Sequence, residues 1–178
     1  SRVADPSRAE GLAVEIAARL SAVGGVAAVV LGGSRATGMA DETSDVDLGI
    51  YYEPGVPLDL EALRDLACAL DDLGSSAELT EPGAWGPWVN GGGWLVIGGL
   101  PVDLLYRDLG RVRRVVEECM AGRSTSDYTL GHPHGFHSPI YLGEIAAARV
   151  LFDPSDLLGP LRARLSPYPP ALGAELVR

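Results

Sequence analysis

Two aspartates separated by one residue, Asp45 and Asp47, are the residues of this chain best suited to chemistry. The residues that follow them, 48–52, include β-branched and aromatic side chains, which favour a β-strand. Residues two apart in a strand share a face, so the two carboxylates are expected side by side. Adjacent carboxylates repel each other unless a hard cation lies between them, and Mg²⁺ accepts carboxylate, water and phosphate oxygens. The pair therefore predicts a magnesium site.

A glycine turn lies one loop before this pair. Residues 26–31 form a short apolar run, which predicts a strand buried on both faces. Gly32 and Gly33 allow the chain to turn sharply and approach a ligand closely, and Ser34 is expected to cap a short helix. Backbone N–H groups at such a turn bind phosphate oxygens, and Ser34 and Arg35 would add a hydroxyl and a positive charge. Gly33, Ser34 and Arg35 are therefore the predicted phosphate-binding residues.

These two features stand close enough in the chain for one Mg²⁺-bound nucleoside triphosphate to reach both. The residues resemble the signature of the polymerase beta-like nucleotidyltransferase superfamily. Within that superfamily, the motif is most similar to that of the small bacterial antibiotic nucleotidyltransferases and the minimal nucleotidyltransferases. The matching positions are Gly33, Ser34, Ala36 and Gly38, followed by Ser44, Asp45, Asp47 and Leu48. The resemblance implies two Mg²⁺ ions bound by Asp45 and Asp47, and an NTP, with ATP favoured, as co-substrate.

A third carboxylate lies in a predicted hairpin. Residues 94–97 and 102–106 are largely apolar runs joined through Gly98 and Gly99, which predicts two antiparallel strands. Asp103 lies in the second strand among apolar neighbours, where a charge without a partner is costly. The family resemblance implies that Asp103 is the third metal ligand and that it helps to deprotonate the acceptor hydroxyl. The predicted catalytic residues and the predicted metal ligands are thus the same set: Asp45, Asp47 and Asp103.

Length and composition restrict the class of protein. The chain has 178 residues, of which 47% are hydrophobic, without a run long enough to span a membrane and without a recognisable signal peptide. Cys68 and Cys119 lie in helical patterns and are expected to be core residues rather than disulfide partners, which fits a cytoplasmic protein. The formal net charge is -10, and the sequence contains no lysine. Such a surface makes a nucleic acid partner unlikely, and it either attracts a cationic acceptor or serves only solubility.

Hydrophobic periodicity predicts the elements that position these residues. Spacings of three and four predict helices over residues 7–23, 58–73, 109–120 and 138–151. Together with the strands they indicate a mixed α/β (α+β) nucleotidyltransferase fold, with a small twisted sheet and helices on one face. The helical pattern breaks at residue 121. We therefore expect a nucleotidyltransferase domain over residues 1–121 and a mainly helical C-terminal region over residues 122–178, which is expected to be truncated.

Several residues keep two interpretations. Trp85 and Trp88 lie in a loop rich in glycine and proline, and they either pack that loop onto the domain or stack on a ligand ring, whereas Trp94 is expected in the core. The arginines of helix 109–120 either meet the triphosphate or are solvated or paired with acidic side chains. All three histidines lie in one loop: His132, His134 and His137. They either fix a turn or line the acceptor pocket, and zinc is disfavoured because no cysteine lies close by.

These features together predict an enzyme, a two-metal, Mg²⁺-dependent nucleotidyltransferase. We expect it to move a nucleoside monophosphate, AMP in the favoured case, from Mg²⁺-NTP to a hydroxyl of a small molecule such as an aminoglycoside-like antibiotic, with release of pyrophosphate. One alternative is an antitoxin-like enzyme that adenylylates a partner protein. Another is a catalytically idle nucleotide-binding or interaction module, although three mutually repelling carboxylates argue against it. The acceptor, the NTP and the oligomeric state stay open at this stage.

Overall fold

A five-stranded mixed sheet lies at the centre of the protein. The structure is a computed structural model that describes residues 6–41, 44–74, 78–86, 90–123, 126–127, 136–137 and 139–166. The sheet strands are β1 (Ala28–Leu31), β2 (Val46–Tyr52), β3 (Gly92–Ile97), β4 (Leu100–Asp108) and β7 (Arg149–Phe152), and their order across the sheet is β3-β4-β2-β1-β7. A separate two-residue pair consists of β5 (Ser126–Asp127) and β6 (Phe136–His137). The mixed α+β fold class is confirmed.

Strand pairing brings together segments that are far apart in sequence. β2 and β4 are parallel neighbours at the middle of the sheet. β1 is antiparallel to both β2 and β7, and β3 is antiparallel to β4. The β3–β4 turn is formed by Gly98 and Gly99, whose φ angles are 58° and 79°, a backbone conformation that glycine adopts at little cost. The predicted hairpin is therefore confirmed.

Helices pack against the sheet, and two of them begin at a side-chain cap. Those described are α1 (Pro6–Leu20), α2 (Gly33–Thr37), α3 (Leu60–Leu70), α4 (Leu109–Met120), α5 (Pro139–Ala147) and α6 (Gly159–Arg164). The carboxylate of Asp59 accepts a hydrogen bond from the Ala62 N–H at 3.0 Å, and Asp108 accepts one from the Arg111 N–H at 3.1 Å. Each bond satisfies a backbone donor in the first turn of its helix. No helix among the described residues is long and apolar enough to cross a membrane.

Both faces of the sheet are covered, so the prediction of helices on one face is wrong. The short strand β1 shows the reason, because its side chains alternate between two cores. Val29 and Leu31 belong to the core that includes residues of α1 and α3. Ala28 and Val30 belong to a second core that includes residues of α4, α5 and α6. A strand that is apolar at every position needs a packing layer on each side.

The C-terminal region does more than add helices. Helix was predicted over residues 138–151, but α5 ends at Ala147, and residues 149–152 form β7, which pairs with β1. The sequence of β7, Arg-Val-Leu-Phe, is rich in strand-forming side chains, and pairing with β1 completes that edge of the sheet. The sheet therefore continues past the boundary predicted at residue 121. The pattern from residue 171 lies outside the described residues.

Candidate active site

The parallel register of β2 and β4 places Asp47 directly opposite Asp103. Their neighbours along the strands, Val46 and Val102, are fully buried in the core shared with α1 and α3. Because side chains alternate along a strand, the two aspartates point to the other face of the sheet. Asp45 immediately precedes β2 and is exposed. The structure thus brings Asp47 and Asp103 together and places Asp45 at the entrance to the same strand.

Electrostatics connect all three carboxylates. The pKa of Asp47 is raised by burial and then by the negative charges of Asp45 and Glu144, while Arg35 lowers it. Burial, followed by the charges of Asp47 and Asp45, raises the pKa of Asp103 to about 6. Both shifts mean that the folded protein disfavours a full set of negative charges here. A bound cation would relieve that repulsion.

The glycine turn lies against Asp47. The Gly32 N–H donates a hydrogen bond to the Asp47 carbonyl oxygen at 2.8 Å. Gly33 has a φ of +60°, and a Cβ at this position would collide with the Asp47 carboxylate. Glycine is required at position 33 for both reasons, because another residue would be strained and would displace Asp47. The predicted phosphate-binding turn and the predicted metal-binding strand are therefore in direct contact.

Ser34 is not the helix cap that the sequence predicted, and Arg35 has structural contacts. Helix α2 begins at Gly33 with Gly32 at its cap position and without a side-chain cap bond, so Ser34 lies in the first turn and is not the cap. Arg35 is buried, and its guanidinium donates hydrogen bonds to the carbonyl oxygens of Ser44 and Asp45. These contacts tie the segment that carries Asp45 to α2. Contact between Arg35 and phosphate stays a prediction.

A pocket of about 250 Å³ opens beside Asp47 on the same face of the sheet. Gly33, Asp47 and Tyr51 line one side, and Arg107 and Glu144 line another. The Arg107 guanidinium donates two hydrogen bonds to the Glu144 carboxylate, both at 3.0 Å, and lies 5.4 Å from the ring centroid of Tyr141. A bidentate pair of this kind is strong and directional. It joins β4 to α5 at the pocket wall.

Sequence reasoning missed both members of this pair. A signal for Arg107 existed, because it lies four residues after Asp103 on a strand and so shares its face. Glu144 gave no signal, since it lies in a helix of the C-terminal region, and only the tertiary structure brings that helix to the site. Another basic residue has a structural partner: Arg113 forms hydrogen bonds with Glu53, both at 2.7 Å.

Trp94 is not a core residue, so that prediction is wrong. It is 65% exposed, because Leu95 and Ile97 occupy the core-facing positions of β3 and leave Trp94 on the opposite face. Trp94 is paired with Asp103 in the β3–β4 register. The ring of Trp85 stacks on it, with 4.9 Å between centroids and 27° between planes. Trp88, His132 and His134 lie outside the described residues, as does the side chain of His137.

The donor set suits a magnesium ion, although the described residues do not form a closed metal site in advance. Among the described residues, no group of three or more His, Cys, Asp or Glu side chains already forms a metal-binding cluster. Mg²⁺ does not need one, because it uses one or two carboxylates and completes its shell with water and phosphate oxygens. Asp45, Asp47 and Asp103 supply carboxylate oxygens whose mutual repulsion a cation would relieve. The residues present therefore fit the ion.

Comparison with protein families gives a match to a nucleotidyltransferase domain over residues 13–120, which is 108 of the 178 residues. The matched segment runs from α1 to the end of α4 and contains the glycine turn, Asp45, Asp47 and Asp103. Comparison with curated proteins finds no similar sequence.

Proposed function

Because the chain belongs to the nucleotidyltransferase domain family, we propose that it transfers AMP from ATP to a hydroxyl group of a small molecule and releases pyrophosphate. One observation carries this proposal: Asp47 touches the glycine turn on one side and is paired with Asp103 on the other. The predicted phosphate-binding turn and the carboxylates therefore lie in one continuous site, which supports transfer from a metal-bound triphosphate. The resemblance to the polymerase beta-like superfamily is confirmed, and membership of its antibiotic branch belongs to this proposal.

Each group has a role in the proposed reaction. The Gly33 N–H and the Ser34 hydroxyl hold the terminal phosphates, and Arg35 positions Asp45 through the backbone carbonyls. Asp45, Asp47 and Asp103 would hold two Mg²⁺ ions, which supply charge stabilisation to the attacking and leaving oxygens. A bond forms between the acceptor oxygen and the α-phosphorus, and the bond from that phosphorus to pyrophosphate breaks. The hydroxyl proton passes to a carboxylate oxygen of Asp103.

A cationic acceptor, such as an aminoglycoside, is supported by charge. The chain carries a formal net charge of -10, and three carboxylates lie around the site. Negative potential of this kind raises the local concentration of a cationic substrate and repels nucleic acid. We place the reaction in the cytoplasm, where the buried thiol of Cys119 and the half-buried thiol of Cys68 would stay reduced.

Calorimetric titration with ATP, with and without Mg²⁺, tests the nucleotide site. We expect Mg²⁺-dependent binding in the wild type, and its loss by at least about tenfold in Asp47→Asn, because one of the carboxylates that hold the ion is removed. The matched control is Asp65→Asn, the same change on an exposed position of α3. Equal Mg²⁺-ATP binding by wild type and Asp47→Asn would contradict the proposal.

Label transfer tests the reaction itself. ATP labelled at the α-phosphate is incubated with Mg²⁺, the wild-type protein and an aminoglycoside panel. We expect label on the small molecule and release of unlabelled pyrophosphate, with both absent in Asp47→Asn. Label that appears on a protein instead would favour adenylylation of a partner. Mg²⁺-ATP binding without transfer to any small molecule or protein would favour an idle nucleotide-binding module.

A further inference from the structure

Three side chains form a row across neighbouring strands: Asp47 on β2, Asp103 on β4 and Trp94 on β3. Each is the register partner of the next, so all three lie on the same face of the sheet. Neighbouring strands are about 4.8 Å apart, which places Trp94 two strand spacings from Asp47. The glycine turn contacts Asp47 at the other end of the row. The candidate active site therefore continues from the phosphate-binding turn to an indole ring.

The indole at the end of this row is accessible and held in place. Trp94 is 65% exposed, and Val96, two residues further along the same face of β3, is 40% exposed. Trp85 stacks on Trp94 and restricts its orientation. Exposed aromatic surface beside a polar site is typical of ligand recognition, because a ring presents a broad contact area with little loss of side-chain freedom.

We propose that Trp94, supported by Trp85, is the acceptor subsite, and that it takes an amine-bearing ring. The inference rests on the proposed function and names the substrate contact within that site. In an in-line displacement the acceptor oxygen attacks the α-phosphorus from the side opposite the leaving pyrophosphate. Pyrophosphate leaves toward the glycine turn, where the terminal phosphates are held. The acceptor therefore approaches from the opposite end of the row, which is Trp94.

The chemistry around Trp94 selects a cationic ring over a neutral one. An ammonium group over an indole face is stabilised by the negative quadrupole of the ring, and tryptophan is the best of the aromatic residues for this contact. Asp103 is the register neighbour of Trp94 and supplies a carboxylate on the same face. One amine of the acceptor can lie over the indole while the hydroxyl to be modified lies beside Asp103.

The test is a binding comparison on the full chain, with kanamycin as the cationic probe and trehalose as the neutral one. We expect Trp94→Ala to weaken kanamycin binding by about tenfold, as the loss of an indole–cation contact predicts. Mg²⁺-ATP binding in the same variant should stay within about twofold of the wild type, since the nucleotide site lies at the other end of the row. Trp94→Phe should bind kanamycin with intermediate affinity. Val14→Ala, an exposed apolar position on α1, is the control.

The outcomes separate this inference from the proposed function. Unchanged kanamycin binding by Trp94→Ala overturns the subsite, and equal binding of trehalose and kanamycin by the wild type overturns its selectivity for amines. Loss of Mg²⁺-ATP binding with kanamycin binding intact would assign Trp94 to the nucleobase and also overturn the inference. A wild type that binds no kanamycin would also overturn the inference. The proposed function has its own tests, which are Mg²⁺-ATP binding by the wild type and Asp47→Asn and transfer of the α-phosphate label, and none of the kanamycin titrations measures either.

Discussion

The two faces of the sheet at β2 and β4 differ sharply, although the same two strands form both. On one face Val46, Leu48 and Ile50 alternate along β2 with none of their surface exposed, and they pack against α1 and α3. On the other face Asp47 lines a pocket, and both Asp47 and Asp103 have raised pKa values. The buried face contributes stability through apolar burial, whereas the open face keeps charges that the fold disfavours.

This difference shows how a small domain keeps mutually repelling carboxylates in fixed positions. Because side chains alternate along a strand, Asp47 and Asp103 each have a core residue immediately before and after them. The core fixes the backbone of β2 and β4, and the backbone fixes the spacing of the carboxylates. The site therefore needs few contacts of its own. Substitutions on the two faces should separate stability from binding.

The largest expected effect on stability is on the core face. Leu104→Ala removes a side chain that is 1% exposed and should lower the free energy of unfolding by about 2–5 kcal/mol. Its neighbour Asp103 faces the site, so Asp103→Asn should leave that free energy at pH 7 equal or higher, while Mg²⁺-ATP binding weakens. Denaturant titration and calorimetry measure the two properties. If Asp103→Asn were less stable than the wild type but bound Mg²⁺-ATP equally well, stability and binding would not be divided between the two faces.

Much of this contrast was predictable from sequence, and the exceptions have physical causes. The apolar runs, the strand-forming side chains and the short motif around Asp45 and Asp47 are local signals, so they predicted the strands and that pair of carboxylates, and the family resemblance added Asp103. Glu144 and β7 depend on long-range packing, which local periodicity does not encode. Trp94 was misassigned because its large apolar ring suggests burial, whereas its position beside Leu95 on a strand decides which face it occupies.

The Arg107–Glu144 pair tests whether the open face is held together by charge. Glu144→Ala leaves the guanidinium of Arg107, a residue 6% exposed, without its bidentate partner and should cost about 1–3 kcal/mol. Adding Arg107→Met in that background removes the buried charge and should restore part of the loss. Thermal or denaturant unfolding of wild type, both single variants and the double variant measures the coupling. Additive losses would mean that the pair contributes no coupling between β4 and α5.

A smaller effect is expected at the glycine turn. Gly33→Ala forces a side chain onto a φ of +60° and against the Asp47 carboxylate, so it should cost about 1–2 kcal/mol and weaken Mg²⁺-ATP binding. Gly74→Ala is the matched control, because Gly74 has a φ of +67° with open space around it. The control should lose stability but bind Mg²⁺-ATP as the wild type does. If both variants bound Mg²⁺-ATP as the wild type does, contact between the turn and Asp47 would be unimportant for the site.

The smallest expected effect is the pH dependence of stability without metal. Because the pKa of Asp103 is about 6 in the folded protein and 3.8 in the reference state, the folded chain binds more protons between these values. Stability in the presence of EDTA should therefore fall as the pH rises through this range, and Asp103→Asn should flatten the fall relative to Asp65→Asn. Added Mg²⁺ binds the ionised carboxylates, so it should stabilise the wild type most above pH 6. A wild-type profile that matches Asp103→Asn in EDTA would mean that the carboxylates of the open face do not strain the fold, and that the contrast between the two faces is one of polarity alone.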